Sequence, residues 1–99
     1  MKSYRITMLK SAIDDLAQLA DYLIEYSPDV ALKTYDKIIK KINELSYFPY
    51  RHEQYPIKIN RYVYRKLIID RYLVFYVITF DSVEIHRIID SRRNIPHSF

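Results

Sequence analysis

The sequence has no glycine, no cysteine and no tryptophan. Average usage would put about seven glycines in a chain this long, so every turn must be made by Asp, Asn, Ser and Pro chemistry. Phosphate-cradling loops and dinucleotide fingerprints, which need glycine where backbone approaches phosphate, are excluded. Without cysteine there is neither a disulfide framework nor a thiolate metal site. The longest uninterrupted apolar run, 72–78, is seven residues, whereas a membrane-spanning helix needs about 20. No charged segment followed by an apolar stretch opens the chain, so a soluble, cytoplasmic protein is expected. His52, His86 and His97 are isolated in sequence, and no metalloprotease, calcium-loop or catalytic-triad signature is present. No metal and no cofactor are expected.

What is present is ordinary globular material, 49% hydrophobic and 28% charged over 99 residues, which predicts one domain spanning 1–99. Tyrosine occurs 11 times. Its apolar ring and polar tip suit half-buried sheet faces and interfaces. Charge is unevenly spread. Residues 1–50 hold seven basic and seven acidic side chains, whereas residues 51–99 hold nine basic against five acidic. Seven of the eight arginines (Arg51, Arg61, Arg65, Arg71, Arg87, Arg92, Arg93) fall in the second half. Arginine is suited to bidentate contact with carboxylate or phosphate, so an acidic partner for that half is inferred, against the alternative of a solvated basic surface.

Tyr4 to Leu9 is rich in strand formers and predicts a first strand. Ser11 and Asp14 read as the capped start of a helix, whose stripe would be Ile13, Leu16, Ala17, Ala20, Leu23 and Ile24. Ser27-Pro28-Asp29 combines a cap with a proline at the first helical position. It opens a second helix to about Ser46, with Ala31, Tyr35, Ile38, Ile42 and Leu45 inward, widened by Leu32 and Ile39. Joined so closely, the two helices form an antiparallel hairpin that needs a sheet to cover. Phe48 to Pro56 has no period and reads as a loop. Arg61 to Ile69, Arg71 to Phe80 and Val83 to Asp90 read as three strands. The fold class is α+β in the order β-α-α-β-β-β, with the hairpin on one face of a small, mostly antiparallel twisted sheet. Both parities of Arg71 to Phe80 are apolar, which suits a central strand buried on two sides. The far side of the sheet is expected to lie open for a partner.

The residues with chemistry to offer are Arg65, Arg87, Arg92 and Arg93 with His86 and His97. Arginines could clamp a phosphodiester while histidine moves protons, giving metal-free RNA cleavage. Each also has a structural reading: Arg87 paired to an acid at the edge of the core, Arg65 bridged to Asp70 or Asp90, and Arg92-Arg93 a basic tail.

Taken in order, Tyr4-Arg5-Ile6, Asp15-Leu16, Tyr22-Leu23, Phe48-Pro49-Tyr50-Arg51-His52, Tyr64-Arg65-Lys66-Leu67, Tyr72-Leu73-Val74-Phe75-Tyr76, Val83-Glu84-Ile85 and Asp90-Ser91-Arg92-Arg93-Asn94 resemble the RelE/ParE superfamily of toxins from type II toxin–antitoxin systems. The resemblance covers almost the whole chain. It implies a growth-inhibiting toxin neutralised in a hetero-oligomer by a cognate antitoxin with an acidic, helix-rich segment. RelE-like members cut mRNA on the ribosome, using sheet basic residues and a tyrosine or histidine near the last strand. Arg65 resembles one such basic residue, but Ser91-Arg92 stands where some nucleases read His-Tyr, leaving His86 or His97 as substitutes. ParE-like members poison DNA gyrase and often carry paired arginines there, which Arg92-Arg93 resembles. The ParE-like reading is favoured. Arg65, His86 and His97 are the catalytic candidates if the chain is a nuclease. Arg51, Arg61, Arg65, Arg87, Arg92, Arg93, Tyr72 and Tyr76 are the candidates for binding target or antitoxin. A protein that only docks a partner is the remaining alternative.

Overall fold

The structure, a computed structural model, describes residues 2–56, 58–93 and 95–99, the side chain of Pro96 excepted. Asn94, part of the arginine motif above, lies outside the described residues. The elements are β1 (Arg5–Met8), α1 (Lys10–Tyr26), α2 (Pro28–Glu44), β2 (Arg65–Ile69), β3 (Tyr72–Ile78), β4 (Ser82–Asp90) and α3 (Ile95–Ser98), with a single 3-10 turn at Pro49–Arg51. The four strands form one sheet in the order β1-β4-β3-β2. β1 runs parallel to β4, and the other pairs are antiparallel. The expected β-α-α-β-β-β order holds.

Ser27 caps α2 as its sequence implies, accepting the Val30 N–H at 3.3 Å with Pro28 at the first helical position. The start of α1 differs from expectation. Leu9 occupies the cap position without a side-chain bond, and Ser11, inside the helix, donates its hydroxyl to the His86 carbonyl at 2.6 Å. The stripe of α1 is also rotated. Ala12, Leu16 and Leu23 are buried with Leu19 packed beside them, while Ile13, Ala17 and Ile24 are exposed. On α2, Ala31, Ile38, Ile42 and Leu45 are buried as expected, but Leu32 and Tyr35 are exposed. Both helices carry more apolar residues than one face can hold, so periodicity alone could not place the stripe.

Strand boundaries shifted where backbone conformation intervened. Asn60 and Arg61 adopt positive φ (52° and 69°) in a turn closed by an Ile59–Tyr62 bridge, so β2 begins at Arg65 rather than Arg61. Asp70, at φ 53°, turns β2 into β3. Asn and Asp tolerate the left-handed region, but Arg61 holds it at a cost of about 1 kcal/mol, the consequence of having no glycine to place there.

The expectation of an open far face is corrected. The main core lies between helices and sheet, built on Ile38, Ile42, Leu45, Val74, Tyr76, Val83 and Ile85. A second cluster lies on the opposite face, where Tyr64, Phe75, Ile89 and Ile95 are buried with Tyr55, Ile59 and Phe99 packed against them. The chain's own loop and C-terminal segment therefore cover the centre of that face. The double burial of β3 that suggested a missing partner is satisfied internally. Tyr76 is likewise unavailable to a partner. Its ring is buried, its hydroxyl donates to the Pro49 carbonyl at 2.6 Å, and burial pushes its phenol up to about 12.

Candidate functional site

β1 pairs with β4 only from Ser82 to Ile85, which leaves backbone groups of β4 beyond that point to be satisfied by something other than a strand. α1 does this. The Leu9 N–H reaches the Ile85 carbonyl at 2.9 Å, Ser11 takes the His86 carbonyl, and the Asp15 carboxylate accepts the Ile88 N–H at 2.9 Å. Asp15 also accepts two bonds from Arg87, Nε at 2.7 Å and Nη2 at 3.0 Å. On its other side the Arg87 guanidinium donates to the Ser98 carbonyl and lies 5.7 Å from the Phe99 ring centre. The Asp15 bonds hold Arg87 above its ordinary range. Arg87 is thus a tie between α1 and the C-terminal segment, the structural reading of that residue.

Past this tie, α1 and the end of the sheet diverge into a groove of about 650 Å³. Asp15, Gln18, Leu19 and Tyr22 line its helical wall, and Arg71, Tyr72, Ile88, Asp90, Arg92 and Arg93 the opposite one. The chain turns sharply after β4: the Arg93 N–H bonds to the Asp90 carbonyl at 3.0 Å and the Arg92 N–H to the Asp90 carboxylate at 3.0 Å. That turn brings two successive arginines to the groove. Arg92 grips Asp90 through Nε at 3.0 Å and Nη2 at 2.7 Å, and Arg71 stands 3.5 Å from the same carboxylate. The Arg92 hydrogen bonds hold the Asp90 carboxyl down at about 2. With Asp15 neutralised by Arg87, three arginines face one carboxylate, so the groove is electropositive. Its walls also carry apolar surface from Leu19, Ile88, Tyr22 and Tyr72. Tyr72 is buried in the wall, its hydroxyl accepting from Arg71 Nε at 3.3 Å.

The remaining candidates lie elsewhere. Arg65 bridges neither Asp70, which pairs with Lys37, nor Asp90. It donates to the His52 carbonyl at 2.6 Å and lies 5.1 Å from the Tyr50 ring centre, because the 48–56 loop folds against the start of β2 through a Gln54–Arg65 bridge. Arg51 lies over Phe48 at 4.5 Å. Burial, reinforced by Arg51, lowers His52. Arg61 is exposed on its turn.

His86 is buried at a β-bulge opposite Phe75 and Tyr76. Its Nδ1 lies 2.9 Å from the Tyr64 hydroxyl and its Nε2 3.2 Å from Glu84, with the Tyr62 and Tyr64 rings edge-on to it at 4.8 and 5.2 Å. Burial raises the Tyr64 phenol. His97 is exposed on α3. No hydrogen bond links Arg65, His86 and His97 among the described residues. The fold thus collects Arg92 and Arg93 with Arg71, Tyr22 and Gln18, the last three unassigned by sequence reasoning. The signal for the helical wall was available in the spacing of Asp15, Gln18, Leu19 and Tyr22, which puts them on one side of a helix.

Comparison with known proteins agrees with this architecture. No curated protein matches the chain. A solved structure described as a chromosomal ParDE toxin–antitoxin system from P. aeruginosa shares the fold, with a TM-score of 0.73 at 19% sequence identity over 89% of this chain and 96% of that one. The model of the family described as ParE toxin of type II toxin–antitoxin system, parDE, matches residues 6–95. With nearly the whole of the described fold inside that match, the chain belongs to the ParE toxin family.

Proposed function

We propose that the protein arrests growth by inhibiting DNA gyrase, and that a cognate antitoxin with an acidic, helix-rich segment neutralises it by occupying the arginine-rimmed groove. The observation that carries this reading is the groove itself: Arg71, Arg92 and Arg93 converge on a concave surface that also offers apolar anchorage. An acidic segment gains long-range attraction from the arginines and residence from the apolar walls. No histidine is among the described residues lining the groove, and His86 is held by Tyr64 and Glu84 inside the fold. Those placements favour a binding toxin over a ribosome-dependent mRNA endonuclease.

The test is a pair of readouts after induction. Purified protein should block supercoiling or trap cleaved DNA, while translated mRNA acquires no new 5′ ends. Intact supercoiling at excess toxin overturns the proposal, and new ends within codons would favour the nuclease instead. Absence of any growth defect would leave a protein that only docks its partner.

A further inference from the structure

The outer face of the helical hairpin carries apolar side chains that the fold leaves in solvent. Ile13, Ala17 and Ile24 each follow a core residue of α1 by one position, and Leu32 does the same on α2. One position is a rotation of about 100°. Because the helices are antiparallel and both core stripes face the sheet, that rotation points toward the neighbouring helix on each, and the two sets meet along the outer seam. Ile13 is 53% exposed, Ile24 52%, Leu32 61% and Tyr35 43%. Ala17 and Ala20 are too small to close the seam over them. A contiguous exposed patch of this kind marks an interaction surface.

Charge selects the occupant. α1 carries one lysine against four acids, and α2 four lysines against three acids. Asp21 and Glu25 on α1, and Lys33 and Lys40 on α2, enter no ion pair among the described residues. Asp21 and Lys33 each lie six residues from Ser27, and Asp14 and Lys40 each thirteen, so each pair shares one height along the hairpin. We propose that this face binds the same face of a second copy about a two-fold axis running along the seam. The rotation carries α1 of one copy over α2 of the other without changing height. Asp21 of each copy then faces Lys33 of the other. Asp14, paired at 2.9 Å with Lys10 of its own helix, lies opposite Lys40, and Ile13, Ile24, Leu32 and Tyr35 fill the space between. An acidic segment fits this face poorly, since Asp14, Asp21 and Glu25 border it.

Two helices of 17 residues, each about 25 Å long and 10 Å wide, give a footprint of about 500 Å² per copy. A total of about 1,000 Å² is the lower limit for a specific interface. The dimer is therefore a concentration-dependent one.

Sedimentation equilibrium of the purified intact chain tests this. The apparent mass should rise from 12.1 kDa toward twice that value across the micromolar range. Leu32→Glu, at an exposed position, should hold the chain monomeric with an unchanged circular dichroism spectrum. Asp21→Lys and Lys33→Asp should each weaken association about fivefold, and the double reversal should restore it. A chain that stays monomeric overturns the proposal, with or without hairpin amides that become protected on adding antitoxin. So does a dimer indifferent to Leu32→Glu, or a double reversal no better than the singles.

Discussion

At the β4 end of the sheet Arg71 and Arg92 meet one carboxylate on the wall of a groove, with Arg93 beside them. At the other end, Arg51 and Arg65 lie over Phe48 and Tyr50, and Arg65 holds a loop carbonyl. The same side chain lines an open groove in one place and anchors a loop in the other. The difference comes from what surrounds each guanidinium: a concave wall with spare apolar surface in the first case, aromatic faces and an unpaired backbone oxygen in the second. Net charge in the second half of the chain is therefore a poor guide to function until each arginine's partner is known.

The sharpest way to break this division is Asp15→Ala. The carboxylate serves Arg87 and the Ile88 N–H, with side chains of Asp15 and Arg87 only 11% and 16% exposed. Its loss strands a largely buried cation and should cost about 3–5 kcal/mol in urea denaturation. Next comes the combined Arg92→Ala and Arg93→Ala variant. It should raise the toxin level needed for growth arrest at least about tenfold, an effect of about 1.4 kcal/mol, while lowering the urea midpoint only by the small contribution of the exposed Arg92–Asp90 pair. Equal losses of stability and toxicity would mean that these arginines are structural after all.

At the loop end, Tyr76→Phe removes the donor to the Pro49 carbonyl and should cost about 1–2 kcal/mol with toxicity retained. The same phenol sets an alkaline limit. Its folded pKa of about 12 exceeds the ordinary 10.0, so its contribution is full below the ordinary value and is lost as pH rises through about 12. Spectrophotometric titration should find a tyrosine ionising there. Arg65→Ala should lower stability by about 1 kcal/mol and change toxicity less than about twofold. The smallest effect concerns acid. Asp90 is held at about 2 against an ordinary 3.8, so its contribution is present above the ordinary value and is lost as pH falls through about 2. Antitoxin affinity should owe no change to Asp90 between mildly acidic and neutral pH.

Element types and order were legible because each helix is amphipathic and each strand rich in apolar, β-branched and aromatic residues. Ser27-Pro28 announced α2 correctly because cap and proline act locally. Ser11 misled because its hydroxyl had a distant use, satisfying β4 where β1 stops. Arg92 and Arg93 were visible as a pair, but their neighbour Arg71 reaches the groove only through the β2–β3 turn, a relation set by sheet register. The covered far face escaped detection because Tyr55, Ile59, Ile95 and Phe99 come from segments without period. Apolar residues there gave no clue to where they would lie.

The bulge at His86 has a further consequence. It puts one extra residue between Ile85 and Arg87 relative to β3, so alternation is offset by one on its two sides. Deleting His86 itself would leave Ile85 opposite Tyr76 and Arg87 opposite Phe75 on their present faces, whereas deleting Arg87 with the bulge kept would send Ile88 and Asp90 to the far face and bring Ile89 to the near one. In that second case the groove wall and the Asp15 tie would vanish together. Length changes past the bulge should accordingly be tolerated far less than substitutions, and a library of single-residue deletions scored for folding would show a sharp gap there.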